Sequence, residues 1–120
     1  MSAAELKGLV PMASVSDIKR SISFYESLGF EVDNTFEHDG ELKWAYLKKG
    51  GADLMLTHAG GPLALQKQPV IFYLYVGDVV SYRDQLLGKG IAASQLEYPF
   101  YAQKGEFWVE DPDGYKLLIG

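Results

Sequence analysis

Apolar positions along the chain follow two different periods, and the change from one to the other marks the predicted elements. A short run suited to a strand, Leu9–Val15, precedes a segment in which apolar residues recur every three or four positions. This spacing places one apolar stripe on a helix. Asp17 comes just before the stripe, as an N-cap that accepts backbone N–H groups, and Gly29 follows it as a left-handed C-cap. The residues of the stripe are Ile18, Ile22, Tyr25 and Leu28.

The same succession returns in the second half of the chain. Val15–Ile18 recurs as Val76–Val79, so that Asp78 corresponds to Asp17 at an offset of 61 residues (78 − 17). A strand-like run, Val70–Val76, again comes first, and Gly90 again follows the helical pattern. We expect a further strand to begin directly after each glycine, at Phe30 and at Ile91. The second apolar stripe consists of Val79, Tyr82, Leu86 and Leu87.

Each half is predicted to finish with a β-hairpin. The order β-α-β-β-β, repeated twice, predicts an α+β fold built from two tandem modules. Asp-Pro-Asp-Gly in the second hairpin suits a type I turn, because proline at its second position has the φ that this turn needs. The first hairpin runs from Leu42–Leu47 through Lys48–Gly51 to Ala52–Thr57, and the second from Glu106–Glu110 through Asp111–Gly114 to Tyr115–Ile119.

Length and composition agree with one folded unit. With 120 residues, 48% of them hydrophobic, the chain is long enough for one core. We therefore expect a single domain over 1–120, with module 1 at about 8–58, a linker at about 59–69 and module 2 at about 70–120. The absence of cysteine excludes disulfides and thiolate sites, and a net charge of −5 argues against nucleic acid as a partner. No run is long and apolar enough to span a membrane, and Met1–Lys7 shows no signal-peptide pattern, so we expect a cytoplasmic protein.

Three segments resemble the vicinal-oxygen-chelate superfamily, which includes glyoxalase, extradiol dioxygenases and fosfomycin- and bleomycin-resistance proteins. They are Val15–Asp17, the Phe-Tyr and Leu-Gly-Phe phrase within Ser23–Val32, and the closing turn within Phe107–Tyr115. The resemblance covers about residues 9–119 and implies two curled mixed sheets that form a cup. Because this fold carries many activities, the chemistry must come from the site residues.

In the metalloenzymes of this family, His, Gln or Glu side chains of both modules bind a divalent cation. The resemblance places those positions at Val10, Met55, Ile71 and Leu118, all of which are apolar here. Divalent cations of this kind need oxygen or nitrogen ligands. We therefore expect neither a metal nor any other cofactor. Neither His38 nor His58 is expected to replace the missing ligands, and no catalytic residues are predicted.

Strand alternation indicates what lines the cup instead. Ile71, Tyr73 and Tyr75 are expected to face it, whereas Phe72, Leu74 and Val76 pack on the helix. Folding the hairpins about their predicted turns sets Phe107 opposite Leu118 and Val109 opposite Lys116. It likewise sets Trp44 opposite Met55 and Tyr46 opposite Asp53. The predicted ligand-binding residues are Trp44, Tyr46, Met55, Tyr73, Tyr75, Phe107 and Leu118, with Asp53 and Lys116 as polar points.

The resemblance is nearest to the bleomycin-resistance branch, which lacks the metal and sequesters its drug. It implies a homodimer with clefts at the subunit interface and an exchanged N-terminal strand in which Pro11 marks the sheet edge. We therefore expect a binding protein for a planar, amphipathic, cationic antibiotic or metabolite, with Asp53 as the anion that orients the cation. One alternative is a glyoxalase- or dioxygenase-type enzyme that uses a misassigned metal site, or Asp53, Tyr73 or Glu106. The other is a non-catalytic scaffold whose aromatic residues fill the cup or form an interface.

Overall fold

Two mixed sheets, one from each half of the chain, carry the fold. The computed structural model describes residues 6–59 and 70–120, so most of the predicted linker lies outside the described residues. The strands order as β1-β4-β3-β2 in the first sheet and β5-β7-β6 in the second. The α+β prediction is confirmed. The elements are β1 Met12–Val15, α1 Ile18–Leu28, β2 Glu31–His38, β3 Glu41–Lys49, β4 Ala52–His58, β5 Ile71–Leu74, α2 Val79–Gly88, β6 Phe107–Glu110 and β7 Lys116–Ile119.

Both modules pair their strands in the same way. The first strand of each, β1 or β5, runs parallel to the last, β4 or β7, and the last two strands form an antiparallel hairpin. The parallel pairing requires a crossover connection, which the helix provides. The repeat in the sequence is therefore a repeat of this pairing, in a first module of the predicted order β-α-β-β-β and a second module of the order β-α-β-β. Neither described helix is long and apolar enough to cross a membrane.

The predicted N-caps of both helices are confirmed. The carboxylate of Asp17 accepts a hydrogen bond of 3.1 Å from the backbone N of Arg20, and that of Asp78 accepts one of 3.1 Å from Ser81. The bond from the Ser81 backbone holds the pKa of the Asp78 carboxyl below its usual value, because it stabilises the ionised form. Each cap fixes where its helix begins.

The predicted glycine stops are also present, with one difference. Gly29 has φ 114° and Gly90 has φ 82°, both left-handed. The N–H of the residue after each glycine bonds back to the helix, from Phe30 to the carbonyl of Tyr25 at 3.1 Å and from Ile91 to that of Leu86 at 3.0 Å. Helix α2 itself ends at Gly88, two residues before its left-handed glycine.

The strand predicted to begin at Ile91 does not form. Among the described residues, one bridge, Glu97 to Glu106, and one further backbone bond, from Ser94 N–H to the carbonyl of Trp108 at 3.0 Å, join this segment to its neighbour. The reason is a side chain: the hydroxyl of Ser94 accepts the backbone N–H of Trp108 at 2.8 Å, where a strand would present a carbonyl. Serine hydroxyls compete with ladder bonds in this way.

Both hairpin registers differ from the prediction. The first turn uses only Gly50 and Gly51, so Trp44 lies opposite Thr57 and Tyr46 opposite Met55. This shift of two residues leaves the faces of the strands unchanged, because side chains alternate with a period of two. Gly50 takes φ 58°, the left-handed conformation that a two-residue hairpin turn favours.

The second hairpin is displaced by one residue, which exchanges its faces. Gly114 N–H donates to the carbonyl of Asp111 at 3.0 Å, which confirms the type I turn, but Gly114 itself has φ 89°. A left-handed residue after a type I turn adds one residue to the loop as a bulge. As a result Phe107 lies opposite Ile119 rather than Leu118.

The inward faces of both sheets share one core. Ala13, Val15 and Leu56 of the first sheet belong to the same buried cluster as Val109 and Leu117 of the second, and both helices pack into it. Because successive side chains of a strand point to opposite faces of the sheet, the other face of each sheet points away from this core. We call these the first and second cup faces, and they hold the residues that could contact a ligand.

Candidate ligand-binding site

The first cup face brings together four of the predicted residues. Trp44 and Tyr46 of β3 lie beside Asp53 and Met55 of β4, and the two aromatic rings are 6.2 Å apart at 64°. Diagonal contacts join the strands: the indole Nε1 of Trp44 donates to Met55 Sδ at 3.4 Å, and the Tyr46 hydroxyl donates to Asp53 Oδ2 at 2.5 Å. The side chains therefore meet although the predicted register was wrong.

The bond between Tyr46 and Asp53 changes what each group can do. Donation to the carboxylate raises the pKa of the Tyr46 phenol, because the bond stabilises its protonated form. Asp53 is exposed, so water competes for its remaining lone pairs. A ligand cation at Asp53 would gain little, as exposed ion pairs usually do.

The second cup face places three side chains in one row across the sheet. Tyr73 of β5 pairs with Leu118 of β7, and Leu118 pairs with Trp108 of β6. Adjacent strands lie about 4.8 Å apart, so two aromatic side chains flank Leu118 with about 10 Å between their backbones. This arrangement is an apolar floor between two aromatic walls. Tyr75 extends the wall, its ring 4.9 Å from that of Tyr73, and is 86% exposed.

Phe107, predicted to line the cup, does not. It is 1% exposed and belongs to the shared core, because the bulge at Gly114 moved β6 by one residue. Trp108 takes its place on the cup face, partly buried and opposite Leu118. The sequence did hold a signal for this: a glycine that ends a type I turn is typical of a bulged loop.

Glu106 is the other residue that the predicted lining omitted. Its carboxylate accepts the hydroxyl of Tyr73 at 2.8 Å on Oε2 and that of Tyr101 at 3.1 Å on Oε1. These bonds raise the pKa of Tyr73 to about 12 and raise that of Tyr101 as well. Both phenols therefore remain donors at neutral pH. Tyr73 and Glu106, which the sequence analysis named separately as candidate residues of a metal-free enzyme, are thus joined by a hydrogen bond.

Gly120 makes the bond between Tyr73 and Glu106 possible. A Cβ at position 120 would lie 2.3 Å from the Tyr73 hydroxyl, closer than any real contact. The backbone of Gly120 bonds to Leu74 and Val76 of the neighbouring segment, so it cannot move aside without breaking that pairing. Tyr73 therefore reaches Glu106 by passing over a residue that has no side chain.

Lys116 occupies the other end of the second cup face. Its Nζ lies 4.8 Å from the centre of the Trp108 ring, within the range of a cation–π contact. Glu110 is opposite it in the hairpin. The backbone of Lys116 therefore lies at the end of the face far from Glu106, and its charged group lies over Trp108.

The positions that hold metal in the family's metalloenzymes do not fit a metal here. Met55 and Leu118 lie on the cup faces but carry no oxygen or nitrogen ligand, and Val10 and Ile71 are likewise apolar. Within residues 6–59 and 70–120, no group of three or more His, Cys, Asp or Glu side chains could hold an ion. His38 lies at the exposed end of β2 beside Asp39 and not at any of the family's metal positions.

Residues 10–119 match the family model of the Glyoxalase/Bleomycin resistance protein/Dioxygenase superfamily, and the chain belongs to that superfamily. The resemblance on which the fold was predicted is thereby confirmed. No curated protein matches the chain.

Solved structures with this fold differ in what they bind. The protein SMU.1112c shares 27% identity at a TM-score of 0.78, over 96% of this chain and 98% of that one. A bleomycin-binding protein in complex with bleomycin shares 21% at 0.74, over 95% and 97%. A fosfomycin resistance protein from Listeria monocytogenes, a complex with Mn(II) and a dihydroxypropylphosphonic acid, shares 11% at 0.72, over 96% and 90%. At such identities the last two establish the fold and not the ligand.

Proposed function

We propose that this protein binds and sequesters a planar, amphipathic small molecule, an antibiotic or a metabolite, without a metal ion. The observation that carries this proposal is the row Tyr73–Leu118–Trp108, an apolar floor between aromatic side chains where the family's metalloenzymes have a ligand-bearing position. Flat rings stack favourably on aromatic walls, by about 0.5–1.5 kcal/mol per contact beyond the burial of area. A bleomycin-binding protein with the same fold supports this class of ligand.

A homodimer would complete the site. Each cup face points away from the shared core, and within the described part of the chain no ring contact or hydrogen bond joins Trp44 or Tyr46 to Tyr73 or Tyr75. We therefore propose that a second copy of the chain covers the first cup face. Its edge exposes Met12 and Phe36, at 54% and 56%, which is costly for a monomer and expected of an interface.

The dimensions of the chain agree with this arrangement. Its radius of gyration is 15.7 Å, against about 14 Å for a compact domain of this length. A flattened chain of 46 × 45 × 24 Å offers two broad faces to a partner. A closed two-fold pair is also the commonest oligomer. We propose that this dimer acts in the cytoplasm, with neither nucleic acid nor membrane as a partner.

A fluorescence titration with bleomycin tests the proposed function. Trp44 and Trp108 lie on the two cup faces, so a ring that stacks in the cleft should quench tryptophan emission saturably, at about one ligand per chain. Metal analysis of the same sample should find no stoichiometric ion. A stoichiometric metal without quenching would contradict the proposal and favour an enzyme. A monomer in light scattering would contradict the dimer alone.

A further inference from the structure

Glu106 is a nearly buried carboxylate on the second cup face. The residue is 8% exposed, and both oxygens accept tyrosine hydroxyls, Oε2 from Tyr73 and Oε1 from Tyr101. In the described part of the chain, none of the ion pairs includes Glu106. Its charge is thus stabilised by neutral dipoles and not by a cation. A buried carboxylate in this state gains strongly from a positive partner.

We propose that Glu106 makes the site selective for ligands whose flat ring system carries a positive charge at one end. This inference rests on the proposed function and names the ligand class of the same site. It moves the anionic anchor from exposed Asp53, the residue expected from the sequence, to the less exposed Glu106. Because water competes less at Glu106, the same ion pair is stronger there.

The order of residues along the second sheet gives the ligand one orientation. Leu118, the apolar floor of the second cup face, pairs with Trp108. Glu106 directly precedes β6, two residues before Trp108 and about 7 Å from it along the chain. Lys116 lies two residues from Leu118 in the opposite direction. A ring seated on Leu118 therefore has a carboxylate beyond one edge and, away from that edge, the ammonium group that lies over Trp108. A cationic ring places its charge toward Glu106.

Tyr101 is the residue that a ligand cation would displace from the Glu106 carboxylate. Its side chain is 63% exposed and packs edge-on against Phe100, itself at the surface, so it can rotate outward at little cost. Its bond to Oε1, at 3.1 Å, is the longer of the two. A ligand cation replaces this neutral donor with a charge-assisted one, which is roughly twice as strong. Tyr73 keeps Oε2 and holds the carboxylate in place.

Two probes with the same ring system and different charge test the proposal. At mildly alkaline pH, 9-aminoacridine is a cation whose charged ring system carries N–H donors, and acridine is uncharged. Calorimetric titration of the wild-type protein should show about tenfold tighter binding of the cation, the size of one charge-assisted hydrogen bond. In Glu106→Gln the preference should disappear while the affinity for acridine stays the same. Circular dichroism confirms that the variant is folded.

Glu110→Gln is the matched control, since it removes one carboxylate from the far end of β6, at an exposed position opposite Lys116. It should retain the preference for the cation. An equal loss in both variants would mean that net charge alone is responsible and would overturn the inference. Tyr101→Phe provides an independent test: freeing Oε1 should raise the affinity for the 9-aminoacridine cation, and unchanged or lower affinity counts against the proposal.

The remaining outcomes separate this inference from the proposed function. Equal binding of the two probes to the wild-type protein, or quenching by bleomycin without binding of either ring, would overturn the inference and leave the proposed function standing. Absence of binding by both rings and by bleomycin would overturn both.

Discussion

The hydroxyl of Tyr25, in the helix of the first module, donates a hydrogen bond of 2.8 Å to Oδ2 of Asp111, in the closing turn of the second. Tyr25 is fully buried, and the other oxygen of Asp111 accepts the backbone N–H groups of Asp113 and Tyr115. Asp111, the turn residue that follows β6, therefore has hydrogen-bond partners in both modules. Because this contact lies on the core side of both sheets, it helps to direct the two cup faces outward.

Tyr25→Phe should lower the free energy of unfolding by about 1–3 kcal/mol, because it leaves Asp111 Oδ2 buried without its donor. Urea denaturation measures the change. Tyr75→Phe is the control, since Tyr75 is 86% exposed and the removal of its hydroxyl should cost nothing measurable. Equal stability of the two variants would show that the contact between the modules contributes little.

The protein should lose stability above about pH 10 through Tyr25. Burial, and then the neighbouring Asp111 carboxylate, raise the pKa of this phenol well above its ordinary value of 10.0. The unfolded chain therefore releases the proton first, so the contribution of Tyr25 is complete below pH 10 and is lost as the pH rises further. Urea unfolding at a series of alkaline pH values should show the gap between wild type and Tyr25→Phe closing. A gap independent of pH would contradict this assignment.

Gly120→Ala should separate Tyr73 from Glu106, because the added methyl group would occupy the place of the Tyr73 hydroxyl. The pKa of Tyr73, about 12 in the folded protein, should then fall toward its ordinary value. Ultraviolet titration of the phenols detects this shift. Gly88→Ala is a suitable control: it lies in α2 with open space around it and should leave every tyrosine titration as it was. An unchanged pKa of Tyr73 in Gly120→Ala would contradict the conclusion that the Tyr73 side chain passes over Gly120.

Trp44→Ala should weaken the binding of bleomycin by about tenfold or more while the dimer stays intact, because an aromatic anchor of a pocket carries much of its binding energy. Calorimetric titration measures the affinity without relying on tryptophan emission. Leu87→Ala, on the exposed side of α2, should bind as the wild type does. Unchanged affinity of Trp44→Ala would remove the first cup face from the site.

Exhaustive treatment with a chelator should change neither the melting temperature nor the binding of bleomycin. The family's metal positions, among them Met55 and Leu118, offer no oxygen or nitrogen ligand. Differential scanning calorimetry before and after treatment makes the comparison. A clear decrease that added Zn²⁺ or Mn²⁺ reverses would restore the metalloenzyme as the better hypothesis.

The sequence alone was sufficient where structure depends on near neighbours. Asp17 and Gly29 bound the first helix through contacts within a few residues, and their repetition at Asp78 and Gly90 disclosed the two modules. Strand alternation placed Trp44, Tyr46 and Tyr73 on the outward faces, since the period of two survives small errors in the turn. The class of fold followed from these local signals.

Tertiary structure decided everything that depends on register or on distant partners. One left-handed residue, Gly114, moved Phe107 into the core and Trp108 onto the cup face, because a shift of one residue exchanges the two sides of a strand. The pairing of Tyr73 with Glu106 joins residues 33 apart through the empty space above Gly120. No local pattern encodes such a contact, since it depends on how three strands are placed side by side.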